Sequence, residues 1–308
     1  MNKVILSVID DISYDNIVCS IENAVDRLCV NLEQGSVIIK PNLCYYWDYS
    51  TGQTTDPRVV SAIIDVVRER AGDDVAIYVG ESDASAMKTR YSFKMLGYTK
   101  LAREKNVELI NLSKGEIIDK EVIVNGKMIS LPVSKILVDS DFIINVPTLK
   151  THREIGFSCA LKNMFGVIAK PRKFSYHDRL PQVIVAINKI IPSDLVIVDG
   201  IIVSGKNPKK MGVIIGGDNA YSTDLIAAKI VGHNSNNVSY LKLAKKENLS
   251  NGNVVDLLDI NNKMEDLIKE FPKMNYTLDS ILWKLELKAL KLYAKIVGDI
   301  IPPVLEGV

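Results

Sequence analysis

The chain has 308 residues, 47% hydrophobic and 24% charged, enough apolar material for one large or two modest cores. Its 38 Lys and Arg against 37 Asp and Glu leave a net charge of +1, which excludes the basic footprint of a general nucleic-acid binder. The four cysteines, at 19, 29, 44 and 159, form no CxxC pair and no disulfide framework; the N-terminal apolar run is too short for a signal peptide and no apolar stretch is long enough to span a bilayer, so the sequence reads as soluble and cytoplasmic.

In chain order, residues 36–40 form a buried strand stopped by Pro41-Asn42. Asp56 then caps a helix with Pro57 at its first position, and Val59, Val60, Ile63, Ile64 and Val67 make its apolar face before Gly72 closes it. A strand over 75–79 ends at Gly80-Glu81-Ser82; a helix over 92–105 leads to a strand over 107–112. Strand, helix, strand, helix, strand is the rhythm of a parallel sheet covered on both faces. Asn125-Gly126 between two apolar runs predicts a hairpin. Strands follow over 141–146, 195–198 and 212–215, then a helix over 222–231 closed by Gly232. From 278 to 297 a long helical pattern carries Lys284, Lys288, Lys291 and Lys295 in one stripe, with leucines and Trp283 on the other faces. Such a helix either straps its own core or docks on a partner, a second copy or a membrane surface. The fold class is α/β: a mostly parallel, Rossmann-like sheet in two lobes with a small hairpin insertion and a C-terminal helix. Residues 1–264 make the α/β domain, with a cleft around 146–180, and 265–308 a helical extension.

The segment from 146 to 166 follows a buried strand directly and so sits at the sheet's C-terminal edge, where open α/β sheets bind ligands. It gathers Lys150, Thr151, His152, Ser158, Lys162 and Asn163 between glycines, a supply of cations, donors and one imidazole suited to phosphate or carboxylate. Other strand ends add Lys40, Asn42, Glu81 and Ser82. Asp199 serves a ligand or caps its turn; Asp224 serves a ligand or is a first-turn helix charge. Cys159 has Lys162 nearby as a group that would lower its pKa. His152 and His177, without clustered carboxylates or thiolates, do not spell a metal site, and GxGxxG, GKS/GKT and GxSxG motifs are absent.

The series VIIKPNL (37–43), TTDPRVV (54–60), VGESD (79–83), NVPTLKTHREIGFSCALKNMFGVI (145–168), VDGI (198–201) and the Asp224 helix resembles the domain-of-unknown-function 362 family over about residues 36–256. Many of its members carry a ferredoxin-like module; this chain has no cysteine run, so the resemblance implies no iron–sulfur cluster here, while a metal or nucleotide-like cofactor stays open. The spacing His152-xxx-Gly156-Phe157-Ser158-xxx-Lys162 is also similar to a loop of nickel-pincer lactate racemases. That resemblance implies a lysine tethered to a pyridinium cofactor at Lys162, a base at His152 and a nickel ligand at His177. It implies a shared scaffold rather than a shared reaction, because Gly80-Glu81-Ser82 stands where the racemases place a second catalytic histidine.

Two functions follow as expectations. One is an enzyme holding a small phosphate- or carboxylate-bearing substrate or cofactor with Lys40, Lys150 and Lys162, His152 being its acid/base group. The other is a non-catalytic cofactor-binding or assembly protein that docks through its 278–297 helix.

Overall fold

The computed structural model describes residues 2–33, 35–84, 87–250 and 255–274, and in the tail 285, 286, 288, 289 and 292. The first half runs β1 (Asn2–Val8), α1 (Tyr14–Leu28), β2 (Ser36–Pro41), α2 (Pro57–Ala71), β3 (Ala76–Glu81), α3 (Thr89–Met95), α4 (Tyr98–Lys105) and β4 (Glu108–Asn111). A separate hairpin of β5 (Ile117–Val124) and β6 (Lys127–Ser134) leads through α5 (Lys135–Asp139) to β7 (Phe142–Val146), β8 (Thr148–His152), β9 (Gly156–Ser158) and α6 (Ala160–Met164). The remainder is α7 (Leu180–Ile190), β10 (Leu195–Ser204), β11 (Pro208–Gly217), α8 (Ala220–Val231), α9 (Ser239–Lys246), β12 (Val255–Asp259) and α10 (Met264–Glu270).

One sheet carries the whole described fold, in the order β12-β1-β11-β10-β7-β2-β3-β4. From β10 to β4 every pairing is parallel, whereas β11 runs antiparallel to both its neighbours. The parallel strands are apolar on both faces, as strands covered by helices on both sides must be. Along β1, β2, β3 and β10, Ile5, Val37, Ile39, Val79 and Ile197 pack on the layer of α1, α2 and α4. The alternate residues Val4, Leu6, Ile38, Val196 and Val198 pack on the layer of α6 to α9 and the hairpin. The two bodies of apolar packing are therefore the two faces of a single sheet.

Local chemistry explains the boundaries. The Asp56 side chain accepts from the Arg58 N–H to cap α2, and Pro57 opens it. The expected helix over 92–105 is two helices, because Gly97 at φ +84° breaks it. Asn125 (φ 52°) and Gly126 (φ 74°) turn the hairpin, as their dipeptide predicts. Of the 278–297 helix, Leu285, Glu286, Lys288, Ala289 and Leu292 are helical and exposed; Lys284, Lys291, Lys295 and Trp283 lie outside the described residues. No described helix is long and apolar enough to cross a membrane.

The detail that positions the site is the join of β7 and β8. β7 pairs β10 at Leu195 and Val196; after Pro147, which has no N–H to offer, β8 resumes beside the same strand at Asp199 and Ser204. β10 is ten residues long and outruns the five of β7, so β8 rides its overhang and lifts Lys150 and His152 beyond the ends of β2 and β3.

Candidate functional site

Beyond the C-terminal ends of β2 and β3, the chain builds a compact motif from β8, β9 and α6. Lys150 pairs with Ser158, Thr151 with Phe157 and His152 with Gly156 across a tight hairpin whose turn needs the left-handed Gly156 (φ +81°). Helix α6 starts two residues after Ser158 and carries Lys162. Asp224, reaching from α8, accepts from the N–H groups of Ala160 (2.6 Å) and Leu161 (3.1 Å), the first residues of that helix. Asn163 donates to the Asn145 amide oxygen (2.8 Å) and the Lys40 carbonyl (3.2 Å), and Asn145 donates to the Ala160 carbonyl (2.9 Å). These bonds fix α6 onto β2 and β7.

Four lysines converge on this edge. Lys40 is completely buried; its ammonium donates to Glu81 (2.8 Å) and the Pro41 carbonyl (2.6 Å). Glu81 also accepts from the Ser82 N–H (2.9 Å). Lys173 donates to Ser82 Oγ and to the Gly166 carbonyl (2.8 Å). A Cβ at Gly166 would fit tightly, 3.0 Å from Lys40 Nζ and 3.1 Å from its Cε. Lys150 donates to the Asn42 side-chain oxygen and the Gln53 carbonyl (2.6 Å), and Asn42 Oδ1 also accepts from Thr148 Oγ1 (2.9 Å). Lys162 is half-buried, its ammonium 4.4 Å from the centre of the Phe165 ring, with no hydrogen-bond or ion-pair partner among the described residues.

The electrostatics follow from this crowding. Burial, helped by the Lys150 charge, lowers Lys162 to about 8. Burial lowers Lys173 to about 7 despite the nearby Glu81 carboxylate, and lowers Lys150 from the ordinary lysine range, the nearby Lys40 charge adding to it. His152 is pushed well below the usual imidazole range by burial and then by Lys162 and Lys150. Its Nδ1 accepts from the Glu154 N–H (3.2 Å), so the neutral ring carries its proton on Nε2. The neutral ring thus presents its Nε2–H as a donor while Nδ1 is taken up by the Glu154 N–H.

The other expected residues divide. Lys40 and Glu81 neutralise each other, so Lys40 brings no free charge to a ligand. Both Asp199 oxygens accept backbone N–H groups, from Asp56 (2.8 Å) and Ile201 (3.0 Å), which ties α2 to β10. Asp224 is equally occupied at α6. Burial raises both carboxyls to about 7. Thr151 donates to the Ser204 carbonyl (3.3 Å), and Ser158 is buried across from Lys150. Cys159 is buried too, and burial together with Asp224 drives its thiol well above the ordinary range, opposite to activation by Lys162. His177 Nδ1 lies 2.7 Å from Glu154, and among the described residues no three His, Cys, Asp or Glu gather as a metal would need.

Lys173 was not legible as a site residue. It stands in Lys170-Pro171-Arg172-Lys173, which reads as a solvated basic run. The signal for it is the buried Ser82 and Gly166 that it joins, residues distant in sequence.

The family model described as "Domain of unknown function (DUF362)" matches residues 37–229. The "Thylakoid-associated protein sll1697" of Synechocystis sp. is 26% identical over 208 residues, 63% of this chain and 62% of that one, so the chain spans about three fifths of that relative's length. The lactate racemase apoprotein of Thermoanaerobacterium thermosaccharolyticum superposes with a TM-score of 0.49 at 14% identity, covering 75% of this chain and 56% of that one.

Proposed function

This chain belongs to the domain-of-unknown-function 362 family, and we propose that it is an enzyme acting on a small phosphate- or carboxylate-bearing molecule at Lys150 and Lys162. One observation supports this reading above the others: two of the lysines gathered at the sheet edge, Lys150 and Lys162, are hydrogen-bonded to no carboxylate among the described residues. Lys150 has two neutral acceptors and Lys162 has none among the described residues. Buried cations are normally paired, and an anionic ligand would supply the missing charge.

The residues divide the labour. Lys150, aimed by Asn42 and Gln53, is the anion anchor. His152 offers a neutral Nε2–H donor. Lys162, lowered to about 8, exists partly as the free amine near neutral pH and is the reactive group. Asp224, Asn145 and Asn163 position α6, and the Lys40–Glu81 pair forms the floor.

Calorimetric titration with inorganic phosphate and with oxalate tests the reading. A single saturable site is expected, lost in Lys150→Met and in Lys162→Met while both variants keep the parent's circular dichroism. Equal binding by the parent and both folded variants would refute it.

A further inference from the structure

We infer that Lys162 forms an imine with the carbonyl carbon of a small oxo acid whose carboxylate is held by Lys150. The inference rests on the anion-binding reading above and names its substrate class.

The choice of lysine comes from geometry. Lys40 is committed to Glu81 and the Pro41 carbonyl, and Lys173 to Ser82 and the Gly166 carbonyl. Lys150 is fixed by Asn42 and Gln53, whose oxygens accept its hydrogens and hold it as a cation. Lys162 alone of the four has its nitrogen uncommitted among the described residues, with only the Phe165 ring face at 4.4 Å. A lysine becomes a nucleophile for carbonyls when burial and a neighbouring cation free its lone pair, and Lys162 has both, standing at about 8. Lys150 and His152 add what an oxo acid needs beside a nucleophile. Lys150 is a fixed cation for the carboxylate, and the His152 Nε2–H is a neutral donor for the carbonyl oxygen. A phosphate ester without a carbonyl would use Lys150 and leave the Lys162 amine without a task.

The step balances without an external oxidant or reductant. The neutral Nζ attacks the carbonyl carbon, forming the C–N bond while the carbonyl π pair moves to oxygen. The carbinolamine then loses that oxygen as water, carrying the two amine hydrogens, and C=N forms.

Full-length protein treated with glyoxylate and cyanoborohydride, followed by peptide mapping, reads the step directly. A carboxymethyl group is expected on Lys162, forming at pH 7.5 on the order of tenfold or more faster than on the exposed Lys100, since far more of a lysine near 8 is unprotonated. Inorganic phosphate should suppress it. Lys162→Arg should abolish it while calorimetric phosphate binding persists. Lys150→Met removes both the carboxylate anchor and the neighbouring charge, so it should slow the reaction with glyoxylate more than that with acetaldehyde. Phosphate binding without selective labelling of Lys162 would overturn the imine alone. Selective labelling that is as fast with acetaldehyde and indifferent to Lys150 would overturn the oxo-acid class. If neither phosphate nor glyoxylate binds, the anion-binding reading falls with it.

Discussion

Replacing Glu81 by Leu is the most informative test of how this edge is held together. The Lys40 and Glu81 side chains are 0% and 4% exposed, with nitrogen and oxygen 2.8 Å apart. Removing the carboxylate leaves the Lys40 ammonium inside the protein with only the Pro41 carbonyl, and strips the Ser82 N–H of its acceptor. Breaking a buried ion pair from one side costs about 3–5 kcal/mol, a large share of the roughly 5–15 kcal/mol by which a typical protein is stable. Lys40→Met alone leaves an uncompensated carboxylate and should cost a similar amount. The double variant Lys40→Met/Glu81→Leu buries no charge, so it should be more stable than either single variant, which requires a coupling larger than one single cost of about 3–5 kcal/mol. Guanidinium unfolding of the four proteins measures this cycle. Single variants costing under about 1 kcal/mol, or a double variant equal to their sum, would refute a floor built on mutual neutralisation.

Three further outcomes follow from the same geometry. Gly166→Ala places a methyl 3.0 Å from Lys40 Nζ and should destabilise by about 1–3 kcal/mol in denaturant unfolding, with a smaller cost in a Lys40→Ala background. Lys173, at about 7, holds a proton in the unfolded chain that the folded chain lacks between pH 7 and the ordinary lysine range, so it makes stability rise with pH across that window; Lys173→Met should flatten the rise, and an unchanged slope would contradict the burial of that ammonium. Asp199 and Asp224, raised to about 7, act oppositely: the folded chain keeps protons the unfolded one has lost above about pH 4, so they make stability fall as pH climbs towards 7, and Asp224→Asn should remove part of that fall while costing about 1–3 kcal/mol at the α6 cap.

The elements that were legible in the sequence are those whose signals are local. Asp56-Pro57 and Asn125-Gly126 each act over two residues, and the helix cap and the hairpin turn stand where they point. The parallel strands could be read because burial on both faces makes them continuous apolar runs. The antiparallel setting of β11 was not readable, since its residues look the same in either direction and only pairing with β1 and β10 decides it. At the site, Lys150, His152 and Lys162 were found because one stretch of chain carries all three. Their unequal roles were hidden: whether a lysine is free depends on partners such as Glu81 for Lys40, 41 residues away. Asp199 and Asp224 read either as ligand carboxylates or as turn and helix-start charges; β10 runs on through Asp199 to Ser204, and which N–H groups the two serve is set by packing between remote elements.

The central claim is that Lys162 is an uncommitted amine at an anion-binding sheet edge, and its competitive acylation across pH, with and without inorganic phosphate, tests that most directly. Mass spectrometry of the Lys162 peptide against that of Lys100 should show an apparent pKa of about 8 and protection by phosphate that saturates. A Lys162 that titrates with the surface lysines and is labelled equally with and without phosphate would contradict it.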